Sequence, residues 1–327
     1  MKLKNAVKTL TCGAAALALL TAASVTFAQS APIRILVGFP PGGSTDVIAR
    51  HLAVGMQHEL NRTVVVENRA GAGGQIAAQA LKGSRPDGQT LFLSNSHTVS
   101  MIPLTLLNPG FEIKDFTPVG LVAVNPDVFA INPAVVGSPT AGLREFASWA
   151  KANPGKGNVG VPAPASAPDF AVGVIANALG TDLKSVPYRG DGPVAQDLVA
   201  GQIAAGIGSV GAMLQFAKAG KVHIAAVNGT QRLALLPDVP TYAEQGVTGY
   251  EEVIFTAMFA PAGTPAETVQ AYNAAITKIV KSPDFIEKLS ALGISAQAST
   301  SAELGDRVAR TNRAWSTMVK NAGYKPM

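Results

Sequence analysis

Apolar and polar positions along this chain follow two rhythms. Residues 33–39 form a short apolar run, with Ile33, Ile35, Leu36 and Val37 as strand formers, and the run stops at Pro40, Pro41, Gly42 and Gly43. Residues 46–60 then place Ile48, Leu52, Met56 and Leu60 on one face of a predicted helix. The same unit recurs twice. A strand over 63–67 leads into NRAGAGGQ and an Ala-rich helix over 74–81, and a strand over 90–94 leads into NSHT. Strand, loop and helix in repetition predict a parallel sheet with right-handed crossovers, in which ligands sit beyond the carboxyl ends of the strands.

A second section of the same kind begins after Pro126. It reads as a strand over 128–131, an amphipathic helix over 143–152 stopped by Pro154 and Gly155, and a strand from Val159. GVPAPASAPDF then enters a helix over 170–179, and a strand over 185–188 meets a second Gly loop, RGDGP. Helix 194–199, strand 203–207, helix 210–219 and strand 222–227 complete this half. Residues 252–259 are expected to return, extended, to the first half, which helices 266–281, 283–292 and 302–322 close. Two crossovers, near 123–130 and 250–260, predict a hinge.

Composition places the chain outside the cytoplasm. Lys2, Lys4 and Lys8 precede an apolar core over 10–25, and small residues end at Ala28, the pattern of a cleaved secretory signal peptide. The core is shorter than the roughly 20 residues of a spanning helix and is interrupted by Thr11, Thr21 and Ser24, which argues against an anchor. The single cysteine, Cys12, lies within this leader, so the mature chain is expected to hold no disulfide, thiolate nucleophile or zinc–thiolate site. The net charge of +5 falls to +2 once the three leader lysines are removed. The remaining basic residues are dispersed, so neither nucleic acid nor an acidic membrane surface is the expected partner. No apolar stretch after residue 30 is long enough to span a bilayer, and a soluble mature protein is expected.

The candidate chemistry is anion binding. Pro40 to Gly43 let backbone amides turn inward, and Ser44 or Thr45 is expected to cap the following helix. Unpaired N–H groups at a helix start, with the positive end of its dipole, accept a carboxylate or phosphate without a Lys or Arg. Catalytic motifs are incomplete by comparison. IGSVG, residues 207–211, has Ile where a nucleophile elbow has its first Gly, and GGSTD fails at its last position. NRAGAGGQ lacks the Lys-Ser/Thr of a phosphate loop, and GFPPGGS lacks dinucleotide spacing. No carboxylate pair fits glycoside hydrolysis. His51 and His58 are seven apart, too far for a helical zinc pair. No enzyme activity, cofactor or metal is therefore expected, with an exported hydrolase as the rival reading.

Taken together, GFPPGGSTDVIAR, VVVENRAGAGGQIAA, KDFTPVGLVA, KANPGKGNV, SVPYRGDGPVAQDLVAGQI, LLPDVPTYAEQG and FAPAGTP make the chain resemble the solute receptors of tripartite tricarboxylate transporters, the Bug-type periplasmic binding proteins. The resemblance implies an α/β, two-lobed periplasmic-binding-protein fold of the Venus-flytrap, type II kind. Each lobe is then a mainly parallel sheet flanked by helices, and two crossover segments form the hinge. It implies lobe 1 over 29–125 and 251–327, lobe 2 over 126–250, and a monomer in the periplasm. Its partners are then a small organic carboxylate and the integral-membrane permease subunits, with a two-component sensor kinase as an alternative output.

Carried over by position, the resemblance implies a site of Phe39, Pro40, Pro41, Gly42, Gly43, Ser44 and Asp46, with Ser94, Ser96 and His97 at the third strand end. The second lobe adds the loop 161–169, including Pro164, Ala165, Ser166 and Asp169, together with Tyr188, Arg189 and Gly190. Asp169 stands where the family commonly has His, Ala204 or Ala205 where it often has an acid, and Ala70 where NRPGAGG has Pro. Asp169 reads either as a helix N-cap or as a cleft acid favouring a cationic ligand. Arg189 reads as a solvated side chain or as a partner for a ligand's distal acid, with Asp191 beside it able to neutralise it. Asp46 reads as balancing the helix dipole, and His97 as a ligand donor or a turn residue bonded to backbone. Tricarboxylate, dicarboxylate, aromatic acid and amino acid all stay open as ligands, because the loop side chains are small.

Overall fold

A computed structural model describes residues 31–327, so the expected leader, residues 1–28, lies outside the described residues. Along the chain run β1 (Ile33–Val37), α1 (Ser44–Leu60), β2 (Val64–Asn68), α2 (Gln75–Lys82), β3 (Thr90–Asn95) and β4 (Phe116–Asn125). Next come β5 (Asp127–Ile131), α3 (Leu143–Ala152), β6 (Asn158–Val161), α4 (Ala167–Leu179), β7 (Lys184–Pro187) and α5 (Asp191–Val199). The chain continues through β8 (Ala205–Ser209), α6 (Val210–Lys218), β9 (His223–Val227) and β10 (Ile254–Pro261). It closes with α7 (Ala266–Val280), α8 (Pro283–Ser290), β11 (Ser295–Ala296) and α9 (Ser301–Asn321). Among the described residues no helix is long and apolar enough to cross a membrane.

The strands form a six-stranded sheet, ordered β11-β4-β10-β3-β1-β2, and a five-stranded sheet, ordered β7-β6-β8-β5-β9. Both are mixed rather than mainly parallel. The repeated units behave as expected, since β1 runs parallel to β2 and β3, and β6 parallel to β7 and β8. The strands at the crossovers differ. β4 leaves the first sheet for β5, β10 returns from the second, and β10 lies antiparallel between β3 and β4 while β5 lies antiparallel between β8 and β9. These strands are reached without a crossover helix, so nothing constrains them to be parallel. β4 tolerates Pro118 because β11 pairs only with Val124 and Ala123, leaving that stretch of β4 as an edge.

The predicted face of α1 is the buried one. Ile48, Leu52 and Met56 are almost fully enclosed and pack with Ile33, Ile35, Val37 and Ile276 on one side of the first sheet. Truncating any one of them to Ala is expected to cost about 2–5 kcal/mol. Leu36, Phe92, Phe116 and Phe259 fill the other side. The second sheet buries Phe129, Ile131, Val159 and Val161 against Phe146 and Ile175, and this cluster also takes Trp315, Met318 and Val319 from α9. Phe170 and Tyr324 meet edge to face at 5.3 Å. The C-terminal helix therefore belongs to both cores.

The expected first strand ends two residues early, at Val37. Gly38 lies so close to the NRAGAGGQ loop that a Cβ there would stand 2.5 Å from the Gly74 Cα, a contact only glycine permits. These glycines serve backbone packing, which explains a glycine-rich loop without phosphate-loop chemistry. The later boundaries shift by a few residues: α4 starts at Ala167, α5 at Asp191, and β8 runs to Ser209.

Candidate functional site

The loops after β1, β3, β6, β7 and β8 open onto one cavity of about 520 Å³, lined by residues from both sheets. The first sheet presents Phe39, Pro40, Gly43, Ser44 and Thr45, then Asn95 and His97. Gly43, in extended conformation at φ −71°, holds the N-cap position of α1, and no side chain caps the helix, so neither Ser44 nor Thr45 does so. The turn before it requires glycine, since Gly42 has φ +83°. Its N–H donates to Asp46 Oδ2 at 2.9 Å, and the Gly43 N–H donates to the Pro40 carbonyl. Among the described residues the Ser44 and Thr45 amides meet no acceptor. They are left for something in the cavity.

Asp46 does not line that cavity. It is 2% exposed, and its carboxylate accepts from the Gly42 N–H, from both Arg50 Nε and Nη2 at 2.9 Å, and from Asn68 Nδ2 at 2.8 Å. Burial alone raises its pKa, but the hydrogen bonds from Arg50, Gly42 and Asn68 outweigh burial and hold the group below the ordinary carboxylate value. It braces the Pro40–Gly43 turn from behind. Pro41 and Gly42 are exposed and point elsewhere than the cavity wall.

At the third strand end the pleat decides which residues face the cavity. Ser94 and Ser96 are fully buried off the cavity wall, and Ser96 Oγ accepts the Phe255 N–H at 3.2 Å. Asn95, one residue out of phase, faces the cavity instead. His97, starting a wide helical turn, joins it as expected. Burial pushes the His97 imidazole down to about 4, so it is neutral at physiological pH.

The second sheet contributes Pro162, Ala163, Ser166, Ala167 and Pro168, then Arg189 and Gly190. Ser166 is the N-cap of α4, donating to the Ala163 carbonyl at 2.7 Å and accepting the Asp169 N–H. Asp169 sits in the first turn, and its Oδ2 accepts the Ala165 N–H at 2.8 Å, securing a loop in which Ala165 has φ +51°. Asp169 is thus neither the N-cap nor a cavity acid, and Pro164 and Ala165 also lie off the wall. Tyr188 turns away, its hydroxyl donating to Asp197 Oδ2 at 2.8 Å. Arg189 is exposed at the cavity and forms no ion pair among the described residues.

Several lining residues were not among the expected site residues: Thr45, Asn95, Asn125, Asp127, Asp191, Ser209, Ile254 and Trp315. Asp127, 3% exposed, accepts the Tyr250 hydroxyl at 2.9 Å through Oδ2. Asp191 accepts the Ser209 hydroxyl at 2.8 Å and, more weakly, the Ser209 N–H. An acid inside the apolar run VNPDVFAI and an acid in RGDGP were the available signals. Four helices, α1, α4, α5 and α6, begin at this cavity, because strand carboxyl ends lead into helix amino ends. Their dipoles place partial positive charge at the helix starts, while Asp127 and Asp191 place acids on the same wall.

Comparison with known proteins shows what kind of protein carries this cavity. The family model described as "Tripartite tricarboxylate transporter family receptor" matches residues 48–324. The chain belongs to this receptor family. Protein BugT of Bordetella pertussis is 33% identical over 90% of this chain and 90% of its own. A protein in the tcbD-tcbE intergenic region of Pseudomonas sp. strain P51 is 34% identical over 89% and 86%. Among solved structures, the periplasmic binding protein BugD is 31% identical, with a TM-score of 0.74 over 90% of this chain and 99% of that one. MatC of Rhodopseudomonas palustris, solved with bound malate, is 28% identical, with a TM-score of 0.72 over 88% and 98%. An R. palustris protein solved with adipate is 27% identical, with a TM-score of 0.78 over 90% and 98%. Family and neighbours alike are solute-binding proteins, so this chain is a solute-binding receptor of two-lobed α/β fold and not an enzyme.

Proposed function

We propose that this chain is a periplasmic receptor that captures a small organic carboxylate between two lobes and delivers it to the integral-membrane permease subunits of a tripartite transporter. The lobes comprise residues 29–125 with 251–327, and residues 126–250, and the leader over 1–28 exports the protein. The observation that carries the reading is the pair of unpaired amides at Ser44 and Thr45, at the start of a 17-residue helix facing the cavity. Arg189, from the opposite lobe, supplies a free guanidinium. A carboxylate bridging the two stabilises whichever lobe arrangement brings them together, and the links at 125–127 and 250–254 are where the chain bends. Malate and adipate in two neighbours support the ligand class.

A thermal-shift screen of residues 29–327 against mono-, di- and tricarboxylates, aromatic acids and amino acids tests it. A ligand at 100 times its Kd adds about 2.7 kcal/mol, enough to raise Tm measurably. A panel in which no carboxylate raises Tm overturns the proposal.

A further inference from the structure

The cavity wall carries unsatisfied groups of both signs. Asn125 Oδ1 is buried without a hydrogen-bond partner. Two residues on, Asp127 lines the cavity, with Oδ2 taken by Tyr250 and Oδ1 accepting no hydrogen bond among the described residues. Asp127 is only 3% exposed as a residue, and Oδ1 is not among the fully buried atoms, so what exposure it keeps is towards the cavity that Asp127 lines. Asp191 lines the same wall from the start of α5 and, among the described residues, its carboxylate bonds only to Ser209. Among the described residues no lysine lines the cavity, and Arg189 pairs with neither acid. On the other side of the ledger, Trp315 Nε1, in a residue 2% exposed, is a buried donor without an acceptor, and the Ser44 and Thr45 amides are likewise free.

We propose that Asp127 and Asp191, with Asn125 Oδ1, form an ammonium subsite, so that the ligand is an amino-substituted carboxylate rather than a plain di- or tricarboxylate. This rests on the carboxylate reading above and adds the second half of the ligand. The acid group sits at the Ser44–Thr45 amides, and the amine points at the acceptor wall, donating to Asp127 Oδ1 and Asn125 Oδ1. A ligand carboxylate placed against that wall meets two acids in a poorly solvated space and is repelled. Burial and then the charge of Asp191 push Asp127 up to about 7, and burial pushes Asp191 up as well, as expected of acids held together without a cation. A bound ammonium group removes that conflict.

The test is calorimetric titration of the mature chain with pairs matched except for the amine: butanoate and 2-aminobutanoate, succinate and aspartate, glutarate and glutamate, 3-phenylpropanoate and phenylalanine. In any pair that binds, the amino member is expected to bind at least tenfold more tightly. Asp191→Asn and Asp127→Asn should each shrink that ratio, taken within each variant, below about threefold. Asp191 bonds only to Ser209, so its variant decides the matter should Asp127→Asn fail to fold. Equal or tighter binding of the amine-free members, or a ratio that survives both substitutions, overturns the subsite while leaving the carboxylate receptor standing. Silence from every pair overturns the carboxylate reading itself, and the subsite with it.

Discussion

Replacing Asp46 with Ala separates bracing of the anion turn from contact with the ligand. The carboxylate holds the Gly42 N–H, the Asn68 amide and the Arg50 guanidinium behind the free amides of Ser44 and Thr45. Arg50 is half exposed and is resolvated when its partner is lost, so it adds little. Asn68 keeps a second bond, 3.1 Å to the Phe39 carbonyl, whereas the Gly42 N–H has no other acceptor. A hydrogen bond to a charged acceptor contributes about 1.5–3 kcal/mol, so losing two with partial compensation costs about 3 kcal/mol. For a chain of this length that is a fall in Tm of about 5 °C. Because the folded pKa is depressed, this stability is present above the ordinary carboxylate value and is lost as pH falls through the depressed one. The gap between wild type and variant should therefore begin to narrow only below about pH 4. Urea unfolding at pH 7 and pH 3.5, with ligand titration alongside, measures both effects. A variant that loses affinity with unchanged stability would refute the bracing argument and put the Asp46 carboxylate in contact with ligand. A cost below about 1 kcal/mol would show that the turn holds without it.

Three further outcomes follow from the same geometry. Gly43→Val should abolish ligand binding with little change in Tm, because Gly43 is extended and a Cβ there meets only the Pro40 carbonyl at 3.4 Å, whereas Ser44→Ala should weaken binding only modestly; equal losses in titration would count against amide recognition. Trp315 lines the cavity while the other tryptophan, Trp149, stacks on Phe146, so ligand should change intrinsic fluorescence in Trp149→Phe but not in Trp315→Phe. The raised pKa of Asp127 means that its protonated form favours folding at low pH and that this advantage is lost as pH rises towards about 7. Asp127→Asn should thus gain Tm relative to wild type between pH 5 and pH 8, and a difference independent of pH would contradict the burial argument.

What could be read from the chain alone was whatever has a short range. The α1 face of Ile48, Leu52 and Met56, the strand-turn-helix order at Pro40 to Ser44, and the motif order that marks the receptor family all depend on residues near one another in sequence. The turn was legible for the same reason, as was its supply of free amides. Asp46 and Asp169 were legible as acids at a helix start but not in what they bond, since a carboxylate there folds back on the loop's own N–H groups as readily as it faces a ligand, and spacing does not distinguish the two. The tertiary structure alone decided the rest. β10 pairs with β3 and β4 across more than a hundred residues, and that pairing carries Ile254 to the cavity and makes the sheet mixed. Asn125 and Asp127 reach the wall because the chain changes sheets between them, and Trp315 because α9 packs into both cores. Side-chain periodicity is a property of one element, whereas a cavity between two sheets takes a residue from each element that borders it, and long-range pairing selects which residue that is.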